Sequence, residues 1–169
     1  MSMCKRMIMC AAAVALTVTA ASAQDAAIAT AGMQNLEGQP VGQVQLRETP
    51  HGLIVTGEFT ALPEGVLGFH IHAVGACEPP FQSAGGHFNP DGHQHGIENL
   101  QGMHAGDLPN IHVPASGALT VEHFAMGLTL DQVLDEDGAA MMVHSGADDY
   151  ASDPAGDAGD RIACGVIER

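Results

Sequence analysis

Positive charge is the property that this sequence has least of. Only five of its 169 residues are lysine or arginine, against 20 aspartates and glutamates. Lys5 and Arg6 lie near the N-terminus, and a chain that begins at position 24 keeps three arginines, no lysine and a formal charge of −17. Such a surface repels polyanions, which argues against nucleic acid and anionic membranes as partners.

Long apolar runs are also missing, apart from one near the N-terminus. Residues 7–18 form an apolar run after two cations, and a small-residue cleavage site follows at 21–23, which is the order of a secretory signal peptide. The run is shorter than the roughly 20 residues of a membrane span. We therefore expect a signal peptide at 1–23, one soluble domain at 24–169, and a periplasmic or secreted protein without membrane contact after cleavage.

Cysteine is scarce as well. Cys4 and Cys10 lie in the expected signal peptide, so only Cys77 and Cys164 remain in the exported chain. Two cysteines in an exported protein most simply form one disulfide, and the alternative, a copper-binding or free thiol pair, is disfavoured in an oxidising compartment. The chain-entropy model gives such a long closed loop a stabilisation of at most about 4–5 kcal/mol.

No convincing amphipathic helix, internal repeat or second domain is visible in the sequence. Short alternating segments are instead separated by glycine and proline, which predicts an antiparallel sandwich or barrel with long loops at 73–107 and 145–160. Residues 131–137 fit a helical turn or an acidic loop equally well. About eight strands are expected, at 26–33, 41–49, 53–59, 66–72, 110–113, 118–124, 139–144 and 161–168.

Histidines are concentrated between positions 68 and 107, where six of the chain's ten occur. His70 and His72 are separated by one residue in an expected strand, so both imidazoles point to the same face. Phe69 and Ile71 point to the opposite face, into a core. A single histidine is more often a structural residue than a ligand, but two that converge from a rigid strand are half of a metal site.

The loop after this strand contains a second set of ligand-type residues. His87, His95, His104 and Asp107 offer three nitrogens and one oxygen, the tetrahedral shell that zinc accepts. His144, at the end of a late strand, can join His70 and His72, which makes seven ligands in all. Two four-coordinate ions need eight ligand positions, so either His87 bridges both ions or one ion keeps an open, water-bearing position.

These motifs together resemble the copper–zinc superoxide dismutases. The matching segments run in family order across nearly the whole domain, at 68–77, 86–90, 95–96, 104–107, 143–144 and 159–167. The resemblance implies an all-β fold, an eight-stranded antiparallel Greek-key barrel or sandwich with two long functional loops. It also implies an antioxidant enzyme that converts two superoxide anions and two protons to oxygen and hydrogen peroxide by Cu(II)/Cu(I) cycling, with one copper and one zinc ion per chain.

The resemblance further implies a role for each matching residue. Arg161 attracts and orients the superoxide anion, and Asp148 links ligands of the two metals. His87 releases copper on reduction and becomes a proton donor, and Cys77 and Cys164 form the family's disulfide. The implied copper ligands are His70, His72, His87 and His144, and the implied zinc ligands are His87, His95, His104 and Asp107.

Two other functions compete with this interpretation. A non-catalytic relative that stores or delivers metal would have no need of His144 or Arg161, and a copper protein without zinc would have no need of the second ligand set. His93 competes with His95 but is expected to be an exposed neighbour. The remaining histidines, His51, His112 and His123, match no ligand position. The sequence does not determine the oligomeric state, although a homodimer is possible.

Overall fold

The computed structural model describes residues 27–169, so the expected signal peptide, with Cys4 and Cys10, lies outside the described residues. Within this range the chain forms nine strands, one short α-helix, α1 (Leu130–Val133), and a 3₁₀ turn (Gln82–Ala84). The strands are β1 (Ile28–Asn35), β2 (Pro40–Thr49), β3 (Gly52–Phe59), β4 (Gly65–Leu67), β5 (Phe69–His72), β6 (Ile111–Val113), β7 (Leu119–Met126), β8 (Ala140–His144) and β9 (Arg161–Val166). Observed strand ends differ from the predicted ones by at most two residues.

Alternating apolar side chains explain why the β1–β2–β3 region forms a half-buried antiparallel sheet. Leu46 of β2 lies opposite Val55 of β3 and Ala29 of β1, and all three are fully or almost fully buried. Gln45 and Thr56, their neighbours in the chain, point to the other face of the sheet. Period-two alternation therefore buries one face of this sheet and leaves the other to solvent.

The strand order establishes the topology. Seven strands form one antiparallel sheet in the order β5-β8-β9-β1-β2-β3-β7, and β4 pairs with β6 in a small second sheet. β3 pairs with β7, which follows it only after the long excursion through β4, β5 and β6. This is a Greek-key connection, and the predicted all-β Greek-key fold is confirmed.

Gly68 divides the strand that was predicted as one piece at 66–72. Its N–H donates to the Gly146 carbonyl at 2.7 Å, and its carbonyl accepts the His144 N–H at 2.8 Å. A Cβ at Gly68 would lie only 3.0 Å from the Ala158 side chain, so the second loop passes directly over this position. The chain therefore changes sheets at Gly68, and β4 with β5 counts as one of the eight predicted strands.

β8 is buried on both faces and joins the two apolar clusters of the domain. Met141 and Val143 pack in the main core between the sheets. Met142 faces the other way and packs with Phe81 of the first loop and with Cys164 of β9. A Cys77–Cys164 disulfide closes this second cluster and fastens the first loop to the last strand.

The segment that the sequence left undecided is one helical turn. The Thr129 hydroxyl accepts the Gln132 N–H, and the Gln132 side-chain oxygen accepts the Thr129 N–H at 2.9 Å, which is a capping box. Leu130 and Val133 are buried on the core side, and the acidic residues after them lie in a turn. No helix between residues 27 and 169 is long and apolar enough to cross a membrane.

Candidate metal centre

Strand β5 supplies two histidines from a fully buried position. Phe69 and Ile71 pack into the main core, and His70 and His72 face the other side, where the two long loops cover them. His144 enters from the end of β8, the neighbouring strand, where the pairing with β9 is irregular. The alternation expected from the sequence thus places three imidazoles on one side of the sheet.

The first loop runs alongside β5 twice, near its middle and at its C-terminal end. Isolated bridges pair His72 with His87 and His70 with Asp107. Backbone hydrogen bonds join Ile71 to Phe88 and to Gly106 at 2.8 and 2.9 Å. The long loop is therefore held to β5 near its middle and at its C-terminal end, and this brings ligand-type residues that are 15–37 positions apart in the chain to one place.

The four histidines His70, His72, His87 and His144 form a buried group that we name the first ion group. One donor atom from each lies within 4.8 Å of the others. His72 Nδ1 bonds the Gly85 carbonyl at 3.0 Å, and His144 Nδ1 bonds the Gly159 carbonyl at 3.4 Å. An imidazole that donates from Nδ1 presents a lone pair at Nε2, and these two Nε2 atoms are 3.3 Å apart.

The other two histidines of the first ion group each have one nitrogen without a protein partner. His70 Nδ1 and His87 Nε2 are buried and make no hydrogen bond. An unsatisfied buried nitrogen costs about 1–3 kcal/mol, so such atoms call for a ligand. Four convergent imidazole nitrogens are a donor set that fits copper.

The second ion group consists of His87, His95, His104 and Asp107, and its geometry is that of a small tetrahedron. Asp107 Oδ1 lies 2.8 Å from His87 Nδ1, 3.1 Å from His95 Nδ1 and 3.3 Å from His104 Nδ1. Zinc bonds of about 2.0–2.1 Å place tetrahedral donors about 3.3 Å apart, so these separations fit one zinc ion. His104 Nδ1 is buried without a hydrogen bond.

Asp107 is oriented by backbone groups on its far side. Its Oδ2 accepts the N–H groups of Gly96 at 2.9 Å and His104 at 3.0 Å, which turns Oδ1 toward the three histidines. His87 belongs to both groups, with Nδ1 toward Asp107 and Nε2 toward the other three imidazoles. A histidine shared by both groups is the arrangement that the first of the two sequence alternatives requires.

Burial and neighbouring charges set the protonation of these residues. Desolvation lowers the pKa of His70 to about 4 and that of His144 to about 3, and it lowers the pKa of His72 further. These imidazoles are neutral near pH 7, as metal ligands must be. Burial opposes the charge of the Asp107 carboxyl, but hydrogen bonds from His87 and His95 hold its pKa well below its usual range.

His95 differs from the other histidines because it lies between two carboxylates. Its Nδ1 faces Asp107, and its Nε2 lies 3.0 Å from Asp148 Oδ1. Burial alone lowers the pKa of His95, yet the hydrogen bonds to the two carboxylates outweigh it and raise the pKa to about 9. Asp148 Oδ2 also bonds His70 Nε2 at 2.7 Å, so one carboxylate touches both ion groups.

Arg161 lies beside the first ion group. Its guanidinium donates to the carbonyls of Phe81 and Gly85 at 2.6 Å each, and burial lowers its pKa. The Gly85 carbonyl also bonds His72 Nδ1, so the arginine and a histidine of the first ion group share one acceptor. Its positive charge further lowers the pKa values of His72 and His144.

The structure thus brings together all seven residues that the sequence assigned to the two ligand sets. His93 lies outside both groups, exposed, with Nδ1 3.2 Å from the Met103 carbonyl. His51 and His112 are exposed, and His123 is half-buried beside Phe69. Sequence reasoning missed Asn110 and Tyr150, which bond Asp148, and the carbonyls of Gly85 and Gly159. The one sequence signal among these groups was the position of Asn110, three residues after Asp107. The carbonyls of Gly85 and Gly159 have no sequence signal, because every residue has a backbone carbonyl.

Comparison with known proteins agrees with this geometry. The family model for copper/zinc superoxide dismutase matches residues 41–167. The chain is 45% identical over 159 residues to superoxide dismutase [Cu-Zn] 2 of Aquifex aeolicus, which covers 90% of this chain and 92% of that protein. It is 43% identical over 141 residues to a superoxide dismutase-like protein of Bacillus subtilis, and the match covers 79% of this chain and 72% of that protein. The crystal structure of a double mutant of a SOD-like protein from Bacillus subtilis matches this fold with a TM-score of 0.78 and 42% sequence identity. The match covers 83% of this chain and 97% of that chain. The chain belongs to the copper/zinc superoxide dismutase family.

Proposed function

We propose that this protein is a copper- and zinc-dependent superoxide dismutase that converts two superoxide anions and two protons to oxygen and hydrogen peroxide. One observation carries the proposal: seven buried ligand-type residues form two groups that share His87. The first ion group, with four imidazoles, is assigned to copper, and the second, with three imidazoles and a carboxylate, to zinc. Copper held by these four imidazoles would supply the one-electron redox chemistry that the reaction of two superoxide anions needs.

His87 is the residue that we assign to proton transfer. It is the one imidazole of the seven ligands with a nitrogen directed into each group, since Nδ1 faces Asp107 and the unpaired Nε2 faces the copper side. Nε2 is therefore an atom that can hold a proton when it is free of metal and deliver it to the reduced substrate. Nδ1 belongs to the second ion group, beside Asp107, and a zinc ion held there would keep the ring in place.

Arg161 is the residue that we assign to substrate guidance. Two carbonyls fix its guanidinium at the edge of the first ion group, where a cation attracts and orients a small anion. In the part of the chain that the structure describes, Arg47 and Arg169 are the other two cations, and Arg169 is paired with Asp131. Guidance near the copper group is therefore local.

A non-catalytic metal-binding role is the second candidate, because one relative carries the name superoxide dismutase-like. A protein that only stores or delivers metal needs neither four copper ligands nor an arginine beside them. The presence of His144 together with Arg161 therefore favours the enzyme. A copper protein without zinc is disfavoured by the tetrahedral spacing around Asp107 Oδ1.

We also infer that the protein is exported to the periplasm or secreted, with residues 1–23 removed as a signal peptide and 24–169 retained as the functional domain. The Cys77–Cys164 disulfide supports this inference, since disulfides persist in oxidising compartments. N-terminal sequencing of the exported protein tests it, and a first residue far from Gln24 contradicts it. A homodimer stays a prediction, which light scattering on the purified protein checks.

Metal analysis paired with a superoxide-consumption assay tests the proposed function. The mature protein is expected to contain one copper and one zinc ion per chain and to consume superoxide. His144→Ala is expected to lose copper and activity but to keep zinc, because His144 contacts only the first ion group. His112→Ala, which changes an exposed histidine outside both groups, is the control. Full activity in His144→Ala contradicts the copper assignment, and stoichiometric metal without activity favours storage or delivery.

A further inference from the structure

His93 is a histidine of the first loop that neither ion group uses. The loop folds back on itself here, since the Gln94 N–H donates to the Gln101 carbonyl at 3.2 Å. The Asn89 side chain holds the backbone of His93 at both ends. Its Oδ1 accepts the His93 N–H at 3.0 Å, and its Nδ2 donates to the His93 carbonyl at 2.9 Å. His93 therefore has a defined position although it is exposed.

The His93 ring is also oriented, by a contact with the other limb of this loop. Its Nδ1 lies 3.2 Å from the Met103 carbonyl, and an imidazole that donates from Nδ1 has its lone pair at Nε2. Histidines that bind metals commonly donate their second ring nitrogen to a backbone carbonyl, which fixes the tautomer and the ring orientation. The same contact places the ring beside residue 103, whose side chain contains a second kind of donor, a thioether.

The methionines of the described chain are of two kinds. Met33, Met141 and Met142 are fully buried in the apolar clusters. Met103 and Met126 are 38% and 80% exposed, and both line one surface cavity of about 460 Å³. Methionine is among the residues that are most often fully buried, and packing into the core does not explain these two.

The cavity brings these donors together from separate parts of the chain. Its lining contains His93 and Met103 from the first loop and Met126 from the end of β7. Asp91 lines it as well, and its described lining residues include no lysine or arginine. A cavity with a carboxylate and without a cationic side chain attracts a positive ion.

The donor types determine which ion fits. Thioether sulfur is a soft ligand that favours Cu(I), and imidazole suits copper as well. Zinc is bound by thiolate, imidazole and carboxylate, and calcium and magnesium require oxygen ligands. The methionine side chain has three rotatable bonds, so the sulfurs of Met103 and Met126 can close on an ion that is held at His93 Nε2.

We propose that His93, Met103 and Met126 form a third metal site, separate from both ion groups, that binds Cu(I). His93 Nε2 is the fixed ligand, the two thioethers complete a three-coordinate shell, and Asp91 contributes negative charge. The ion is taken up and released as Cu(I), without a redox step. The inference does not depend on the proposed function, because no ligand of this third site belongs to either ion group.

NMR of isotope-labelled methionine methyl groups tests this inference. A chain that begins at position 24 keeps five methionines, so each methyl signal can be assigned by substitution. Protein loaded with copper and zinc is reduced without oxygen, and Cu(I) is then added. The signals of Met103 and Met126 are expected to shift together and to stop shifting at one added Cu(I) per chain. Those of Met33, Met141 and Met142 should stay in place, and the same amount of Zn(II) should shift none of the five.

Three variants at exposed positions remove the ligands one at a time. Met103→Leu and Met126→Leu remove a sulfur at nearly constant volume, and His93→Gln removes the imidazole. Each is expected to weaken Cu(I) binding at this site by at least about 10-fold in competition with a Cu(I) chelator, because loss of a group that merely orients a ligand already has that effect. His112→Gln, at an exposed histidine outside the cavity, is the matched control and should leave the affinity unchanged.

The inference is overturned if Cu(I) leaves the Met103 and Met126 signals in place. It is also overturned if Zn(II) shifts these signals as Cu(I) does, since the cavity would then be a site without preference for a soft ion. Unchanged Cu(I) affinity in both leucine variants overturns it too, because His93 alone would then hold the ion. A protein that takes up no copper or zinc in the two ion groups contradicts the proposed function instead, and the two methyl signals still report on the third site.

Discussion

Acidification of the metal-free, disulfide-bonded protein should destabilise it between pH 6.5 and pH 4. The cause is the set of histidines that burial keeps neutral in the folded state. His70 has its pKa lowered from 6.5 to about 4, His144 to about 3, and His72 further. Below pH 6.5 the unfolded chain takes up protons at these positions and the folded protein does not. The free energy of unfolding therefore falls as the pH falls through this window.

The magnitude follows from the shift at His70, which is fully buried. One pH unit within the window is worth about 1.4 kcal/mol, so between pH 6.5 and pH 5 His70 alone removes about 2 kcal/mol. His72 and His144 act in the same direction, and about three times that value is the ceiling for the three. Folded domains are stable by about 5–15 kcal/mol, so this loss is a large fraction of the stability of the metal-free protein near pH 5.

Groups with other pKa shifts set the acidic and the basic limit of this pH window. The carboxyls of Asp107 and Asp148 have pKa values below their usual range, so their stabilisation is lost only at more acidic pH. His95 has its pKa raised to about 9, so its stabilisation is complete below pH 6.5 and is lost as the pH rises toward 9. The metal-free protein should therefore be most stable near pH 6.5.

Urea unfolding followed by tyrosine fluorescence is the assay, because Tyr150 is the only tyrosine and lies beside the ion groups. Protein loaded with both metals is the control and should show a shallower loss, since ligated histidines do not titrate. His51→Gln, at an exposed position, should keep the full pH dependence. A free energy of unfolding that stays flat or rises from pH 6.5 to pH 5 in the metal-free protein would falsify the argument.

Four further predictions concern the disulfide, the salt dependence of the rate, the charge of Arg161 and the loop over Asp148. Thiol titration of the denatured exported protein should find no reactive thiol, because Cys77 and Cys164 are paired. Two free thiols in active protein would contradict the pairing. Cys164→Ser should lower the free energy of unfolding by at most about 4–5 kcal/mol. The reaction rate should be nearly flat or rise slightly from low to physiological salt, because screening beyond about 10 Å removes the repulsion of an acidic surface, and a steep fall would contradict it. Arg161→Glu should lower activity strongly with both metals in place. Gly156→Ala should weaken zinc binding, because its Cβ meets a carboxylate, whereas Gly38→Ala, with a similar positive φ and open space around it, should leave zinc binding unchanged.

Several features could be predicted from the sequence because they depend on local periodicity and on residue chemistry. The alternation of Phe69, His70, Ile71 and His72 assigns two side chains to the core and two to the opposite face, and the structure has this arrangement. The glycine- and proline-separated segments indicated an all-β fold, which is confirmed. Residue types and their spacing together indicated two ligand sets, because imidazole and carboxylate are side chains that bind copper and zinc.

Other features depended on contacts between distant parts of the chain. The strand at 66–72 is divided because the loop around Ala158 passes over Gly68, and periodicity contains no information about that crossing. The choice of ligand nitrogen in His72 and His144 depends on the carbonyls of Gly85 and Gly159, which any residue could have supplied.

Asp148 shows the same division between local and distant information. Its carboxyl type was visible in the sequence, but its orientation depends on Asn110, 38 positions away, and on the backbone of Tyr150. Hydrogen bonds made by main-chain groups, or by side chains far apart in sequence, follow no local spacing. They form only when the Greek-key fold brings the two long loops together over β5, and for this reason the tertiary structure alone determined how the Asp148 carboxylate is oriented between the two ion groups.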